Sequence, residues 1–375
     1  MSSKPNLLFC LIITVVVTAC GQKPLTKDNS TIFALKQAVL DGKYMYGHQD
    51  DLMYGHYWNA NEDNDFVLER SDVLSTAGAY PMVLGLDLGG IELDADSVYG
   101  ANTNLDGNNF DIMLEAARKH HARGGIVTMS WHLRNPLTGG DAWDVSDKTV
   151  VKSILPGGEC HDKFMSWLDK LGDYLEKIKD IPVIFRPWHE HTGSWFWWGA
   201  GLCTPEEYNA LWVMTYDYLT KDRGLDNLVW AISPNGTQQD FGKWMERYPG
   251  DDYVDIIGLD QYESSYPGME DIDATNTAYI AQMRELLGCM SKIAEEHNKI
   301  LAVTETGFES LQDENWWTEV LMPALDGFPV SYVLTWRNTS EEGRRDVHYY
   351  APFPGSRSEA DFKAFAENEK TIFLK

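Results

Sequence analysis

IPVIFRPWHEHTGSWFWWG, residues Ile181–Gly199, holds two kinds of signal in one stretch. Its first half is short, apolar and β-branched, which predicts a buried strand over Ile181–Glu190. Its second half gathers a carboxylate, two histidines and four aromatics into the segment that follows. A carboxylate just past an apolar strand and among tryptophans is partly desolvated, which raises its pKa and suits a general acid. Glu190 is therefore the residue to explain. The structural alternative is a packed aromatic loop in which Glu190 is salt-bridged to Arg186.

Outward from this stretch, seven further segments read as buried strands: Lys43–Gln49, Tyr80–Leu88, Gly125–Leu133, Asn227–Pro234, Val254–Tyr262, Lys299–Gly307 and Val330–Asn338. Between them, Phe110–Arg123, His161–Lys179, Pro205–Lys221 and Thr277–Asn298 repeat apolar residues at helical spacing. Eight alternations predict a closed α/β barrel, a (β/α)8 TIM barrel with a single catalytic domain over residues 35–375. An open doubly wound sheet is the runner-up, but it favours a Gly-rich phosphate loop, and no GxGxxG or Walker sequence follows any strand.

Barrel active sites form at the C-terminal rim, so the strand ends should be chemically loaded. His48, Asp87, His132, Glu190, Asp260, Tyr262, Glu305 and Trp336 all fall there. Glu190 ends the expected fourth strand and Glu305 the seventh, which a barrel places across a narrow mouth from one another. Two such carboxylates are what glycoside hydrolysis requires, one protonating the leaving oxygen and the other attacking the anomeric carbon, at about 5–5.5 Å for a retaining enzyme. Glu190, in an aromatic loop beside a second negative charge, takes the acid/base part, and Glu305 requires polar neighbours that keep it charged. Tyr262 is placed to hydrogen-bond Glu305.

Composition narrows the partners. With 43% hydrophobic and 23% charged residues over 375, the chain can bury a full core. Its 31 basic against 57 acidic residues leave a net charge of −26, which excludes nucleic acid as a partner. Aromatics make up 12% of the chain, 14 of them Trp, and flat rings covering sugars account for part of that excess, with core packing for the remainder.

The motifs carry a family resemblance. RPWHEHTGSWFWWG resembles the signature of glycoside hydrolase family 26, largely a β-mannanase family. TETG around Glu305, Trp131-His132, GLDQY at Gly258–Tyr262 and TWRN at Thr335–Asn338 fit the same pattern in the same order. The resemblance covers roughly residues 35–370 and implies a (β/α)8 barrel, net retention, no cofactor, Glu190 as acid/base and Glu305 as nucleophile. It further implies that His132, His189, Trp195, Tyr262 and Trp336 line the sugar at the cleavage site, with Asp260 and Arg337 contacting the next sugar on the non-reducing side. Where the family motif carries Met-Asn or similar, this chain has His191-Thr192. The implied substrate is mannan, glucomannan or galactomannan, cut internally by an endo-β-1,4-mannanase. Alternatives are an exo-acting enzyme releasing mannobiose, the same machinery on mixed-linkage β-glucan or xylan, and an envelope glycan-binding protein that does not cut.

At the N-terminus, Lys4, the apolar run Leu7–Thr18 and the small residues before Cys20 resemble a bacterial lipoprotein signal. The run is too short to span a bilayer. The reading gives a signal over residues 1–19, lipidation at Cys20, a tether over 20–34, membrane contact only through the lipid, a periplasmic rather than surface location, and a monomer. Cys160, Cys203 and Cys289 then remain, with at most one disulfide among them. No metal is expected. His189-x-His191 lacks a third ligand, and Asp94, Asp96 and Asp106 in the long Gly89–Phe110 segment read as solvated carboxylates before calcium ligands. His120-His121 reads as a helix C-terminal cap favoured by the dipole.

Overall fold

The computed structural model describes residues 30–62, 68–93, 102–236, 241–263 and 271–375. The expected signal segment, Cys20, Asp94 and Asp96 lie outside the described residues. Eight parallel strands close on themselves: β1 Tyr44–Gln49, β2 Val83–Asp87, β3 Ile126–Ser130, β4 Val183–Arg186, β5 Leu228–Ile232, β6 Ile256–Glu263, β7 Ile300–Phe308 and β8 Val330–Thr335. Closure is the pairing of β8 with β1, Met45 opposite Tyr332 through His48 opposite Thr335. The outer helices include α2 Phe110–Ala122, α3 His161–Glu176, α4 Pro205–Tyr216 and α5 Ile272–Glu296. A final strand, β9 Thr371–Leu374, pairs with the start of β1 and, antiparallel, with Tyr80–Pro81. The barrel is the one the eight alternations predict.

Strand residues alternate between two cores, as a pleated barrel wall demands. Ile184 and Ala231 face inward with Met45, Val83, Ile126, Ile256, Ile300, Ala302 and Tyr332. Phe185, Trp230, Leu259 and Val303 face outward into a second cluster shared with the helices. Among the described residues, one helix contributes to the inner cluster: α1, Ser30–Leu40, whose Leu35 and Ala38 are buried against the N-terminal ends of the strands. Residues 30–34, expected as tether, therefore belong to a helix that plugs the barrel floor.

Several boundaries are shorter than expected, for backbone reasons. The second strand begins at Val83 because Pro81 has no N–H for a barrel ladder and instead sits in the short outer pairing. The fourth ends at Arg186, just before Pro187, so Glu190 stands beyond the strand and not at its end. The helix at Pro205 has a capping box from Thr204 and Glu207 and passes into a wider π-turn at Asp217–Asp222. His120 corrects the dipole reading: it is fully buried in the last turns of α2, its Nε2 is 3.2 Å from the Met82 carbonyl oxygen, and burial pushes its pKa down to about 4. It is a neutral core residue. Most tryptophans are core as well, since Trp131, Trp188, Trp197, Trp198, Trp212, Trp230, Trp316 and Trp317 are all fully enclosed.

Among the described residues Cys160, Cys203 and Cys289 are free thiols, and no helix is long and apolar enough to cross a membrane. Replacing Leu35 by Ala opens the plugged floor and should cost about 2–5 kcal/mol of stability, read as a lower urea midpoint at unchanged slope.

Candidate active site

The inward faces of β4, β6 and β7 change from apolar to polar at the C-terminal rim. Arg186, two residues after Ile184 on the inward face of β4, is almost fully buried. Its Nη1 donates to Asp260 Oδ2 at 2.9 Å and to Ser233 Oγ at 3.0 Å, and its Nη2 donates to Glu305 Oε1 in a very short contact. Burial works against the guanidinium charge, but Asp260 and Glu305 outweigh it and hold the group firmly protonated. Arg186 thus turns to Glu305 and Asp260 and not to Glu190, which sets aside the simple Glu190–Arg186 salt bridge.

Glu305 reaches this position through a break in the strand. Leu301 and Val303 face the outer core, so strict alternation would turn Glu305 outward too. Opposite β6, however, Val303 pairs with Leu259 and Glu305 with Asp260, so Thr304 is an extra residue, a β-bulge. The bulge swings Glu305 to the mouth, while Thr304 Oγ1 donates to Asp260 Oδ1 at 2.5 Å. Gly258 belongs to the same device, because a Cβ there would lie 2.5 Å from Thr304 Oγ1. Tyr262 donates to Glu305 Oε2 at 2.7 Å, as its position in the sequence suggests.

Glu190 is held differently. Trp188 and Glu190 both adopt left-handed backbone (φ 55° and 51°), costly for residues with a Cβ and found where surrounding structure imposes it. The Glu190 N–H donates to the Ser233 carbonyl oxygen at 2.7 Å. Its carboxyl accepts from Trp195 Nε1 at 2.6 Å and from Asn235 Nδ2 at 3.4 Å. Burial, then the charges of Glu305 and Asp260, push its pKa up to about 8. The two carboxyls therefore have separate surroundings, one held among neutral donors and the other beside a guanidinium.

A second polar chain runs along the rim from β2. Asp87 Oδ2 lies 2.7 Å from His132 Nδ1, and His132 Nε2 lies 3.0 Å from His189 Nε2. Burial disfavours a charge on His132, yet Asp87 outweighs it and holds the imidazole above its ordinary value. Asp87 itself is pushed up by burial but brought down to about 2 by His132, Ser130 Oγ and the Gly89 N–H. His189 is driven well below its ordinary value by burial and by His132 beside it. One of the two facing Nε2 atoms must donate, and the opposed shifts favour a charge on His132 over one on His189.

The remaining expected residues fall into place unevenly. Trp195 and Trp336 are half-buried near the carboxyls and His132, with Trp336 6.3 Å from the His132 ring. Arg337 lies farther along, paired with Asp106 at 3.0 Å, so Asp106 is an ion-pair partner. Asp260 is a correction: it is fully enclosed beneath the mouth, with its oxygens engaged by Arg186, Ser233 and Thr304, and supports the site without facing a second sugar. His191 turns away from His189 and accepts from Trp244 Nε1 at 3.0 Å. His48, near the end of β1, pairs with Asp51 just after the strand at 2.9 Å. Sequence reasoning passed over Asn235, Ser233 and Trp143; the last is an exposed ring stacked on His132. Only the placement of Ser233 and Asn235 just past β5 could have signalled them.

A family model described as glycosyl hydrolase family 26 matches residues 26–336. A mannan endo-1,4-beta-mannosidase of Bifidobacterium adolescentis is 33% identical over 340 residues, covering 86% of this chain and 33% of that protein. One of Bacillus subtilis is 30% identical over 245 residues, covering 62% and 65% respectively. The chain thus spans less than two thirds of the length of these curated relatives. Among solved structures, a GH26 beta-mannanase from Bacteroides ovatus superposes with a TM-score of 0.81 at 42% identity, covering 92% of this chain and 94% of that one.

Two outcomes follow from this geometry. In Asp87→Asn the carboxylate that most favours the charged form of His132 is gone, so the His132 ring should titrate at lower pH in histidine-selective NMR. In Gly193→Ala the new Cβ would stand 2.3 Å from the Trp195 indole, and the displaced ring should lose its bond to Glu190. The Glu190 titration, followed by NMR of the labelled carboxyl, should then shift upward, because that bond holds it down.

Proposed function

Because the chain belongs to glycosyl hydrolase family 26, we propose that it is an endo-β-1,4-mannanase that cleaves mannan, glucomannan or galactomannan with retention of anomeric configuration. The observation that carries the mechanism is the separation of two carboxyls: Glu190 raised to about 8 among neutral donors, and Glu305 on the Arg186 guanidinium. Glu190 is protonated at neutral pH and gives its proton to the leaving oxygen. Glu305, aligned by Tyr262 and Arg186, attacks the anomeric carbon and forms a glycosyl-enzyme. Esterification removes the Glu305 charge that helps hold Glu190 protonated, so Glu190 becomes the base that activates water. His132, His189, Trp195 and Trp336 line the reacting sugar, and Arg337 meets the next sugar on the non-reducing side.

The names of the similar proteins support mannan over mixed-linkage β-glucan or xylan. A glycan-binding role without cleavage has no use for so differentiated a carboxyl pair. An exo-acting, mannobiose-releasing mode is the second reading, favoured by one observation: Asp106, after β2, pairs with Arg337, after β8, and so ties two loops together on the non-reducing side. A product time course on mannopentaose separates the two, since mannobiose as the sole early product sinks the endo reading. The lipoprotein-like N-terminus supports an enzyme tethered to the envelope through Cys20, on the periplasmic side, and protease accessibility on intact cells tests it.

The purified protein should hydrolyse mannan in preference to β-glucan and xylan, and Glu305→Ala should abolish turnover while retaining manno-oligosaccharide binding in calorimetry. Glu190→Gln should lower kcat about 10²–10⁴-fold on mannan, with azide yielding a β-mannosyl azide. The acid must be protonated to act, so kcat/KM should fall as pH rises through about 8. A wild-type alkaline limb that Glu190→Gln leaves unmoved would contradict the assignment.

A further inference from the structure

Two buried groups on the connection from β5 to β6 reach into the loop that carries Glu190. Trp244 is buried in the short helix Phe241–Met245, and Arg247 is buried just after it. The Arg247 guanidinium donates to the carbonyl oxygens of Cys203 at 2.6 Å, Trp198 at 3.3 Å and Gly199 at 3.4 Å, and to Cys203 Sγ at 3.5 Å. These acceptors are neutral, and a cation enclosed on neutral groups costs stability. What its planar fork does well is gather several oxygens in one geometry.

The loop it grips is closed on itself. The Gly193 N–H donates to the Glu190 carbonyl oxygen at 2.9 Å, the Ala200 N–H to Gly193 at 2.8 Å and the Gly199 N–H to Phe196 at 2.8 Å. Trp195, whose indole bonds the Glu190 carboxyl, lies between these bonds in the chain. By holding the carbonyls of Trp198 and Gly199, Arg247 fixes the far side of that closure.

Trp244 fixes the near side. Its Nε1 donates to Nε2 of His191, the residue after Glu190, at 3.0 Å. Burial and the charge of Arg247 keep His191 well below its ordinary value, so the ring is neutral and its nitrogen accepts. The Met of the family motif would offer a far weaker acceptor, so this contact belongs to the residue by which the chain departs from the motif. Tyr208 of α4 joins the two ends: its ring lies 4.7 Å from His191 and 5.3 Å from the Arg247 guanidinium, and its hydroxyl donates to the Trp188 carbonyl oxygen at 2.9 Å. Such contacts can impose the left-handed backbone of Trp188 and Glu190.

Accepting the mannanase reading, we infer that Trp244 and Arg247 are positioning residues for proton donation: they clamp the two ends of the Glu190 loop and hold its carboxyl at the leaving oxygen without touching the substrate. The demand is strict, since a displacement of about 1 Å at such a group can cost about 10²-fold in rate.

The test compares two leaving groups. Mannohexaose departs as a sugar alkoxide and needs the proton, whereas a dinitrophenyl β-mannobioside releases a stable anion and does not. Trp244→Phe removes one N–H and keeps a ring, and Arg247→Met removes the fork. In each, kcat/KM for mannohexaose should fall about tenfold. The loss on the aryl mannobioside should be at least several-fold smaller, and Arg247→Lys should recover part of the mannohexaose rate. Equal losses on both substrates would overturn the clamp, because fewer folded molecules or a generally loosened site slow both alike. An unchanged mannohexaose rate would overturn it as well, and Trp244→Phe decides if Arg247→Met fails to fold. A wild-type enzyme inert toward both substrates would instead sink the mannanase reading, and the clamp with it.

Discussion

The guanidinium of Arg186 is the point on which the rim of this barrel depends. It is a cation taken out of water at the end of β4, and only the carboxylates of Asp260 and Glu305 make that tolerable. Removing one partner of a buried pair of this kind typically costs about 3–5 kcal/mol, because the other charge is stranded. The constraint is mutual: Asp260 fixes the guanidinium from below, and the guanidinium then fixes one oxygen of Glu305 while Tyr262 fixes the other. The proposed nucleophile therefore has little freedom of its own. Its orientation is set by residues from β4 and β6 before a substrate arrives.

Around that fixed charge, the other groups divide by local dielectric and partner. Glu190 sits among donors that carry no charge, and burial dominates its behaviour. His132 is just as buried but backed by Asp87, so the partner dominates instead. The same enclosure thus favours the uncharged form at one position and is outweighed by a charged partner at the other. The left-handed backbone at Trp188 and Glu190 is part of this arrangement, since it directs the Glu190 N–H to Ser233 and the side chain to Trp195.

The barrel was legible because period-two apolar runs and period-3.6 helices alternate eight times, and because Glu190, Glu305, His132 and Tyr262 fall near predicted strand ends. Local pattern says less about which way a side chain turns or what covers it. Asp260 and Arg337 carry equal weight as motif residues, yet Asp260 is sealed beneath the mouth and Arg337 is partly open. The tryptophan count suggested sugar platforms, but most of those rings fill the space between barrel and helices, which depends on contacts between distant segments. Trp143 had no motif around it, and its stacking on His132 joins segments distant in sequence. The floor plug α1 was masked by its closeness to the N-terminal tract, although Leu35 and Ala38 occupy one helical face.

The bulge at Thr304 has a bearing on how such a site can change. Because the alternation of β7 is interrupted by one supernumerary residue, the placement of Glu305 depends on a count along the chain as much as on chemistry. Were Thr304 drawn into the ladder as an ordinary member, every side chain would keep its identity, yet the Glu305 carboxyl would turn toward the helices. Point substitutions can be graded and compensated; a change of parity cannot. The register of this short stretch is thus under a stricter constraint than most of the side chains within it.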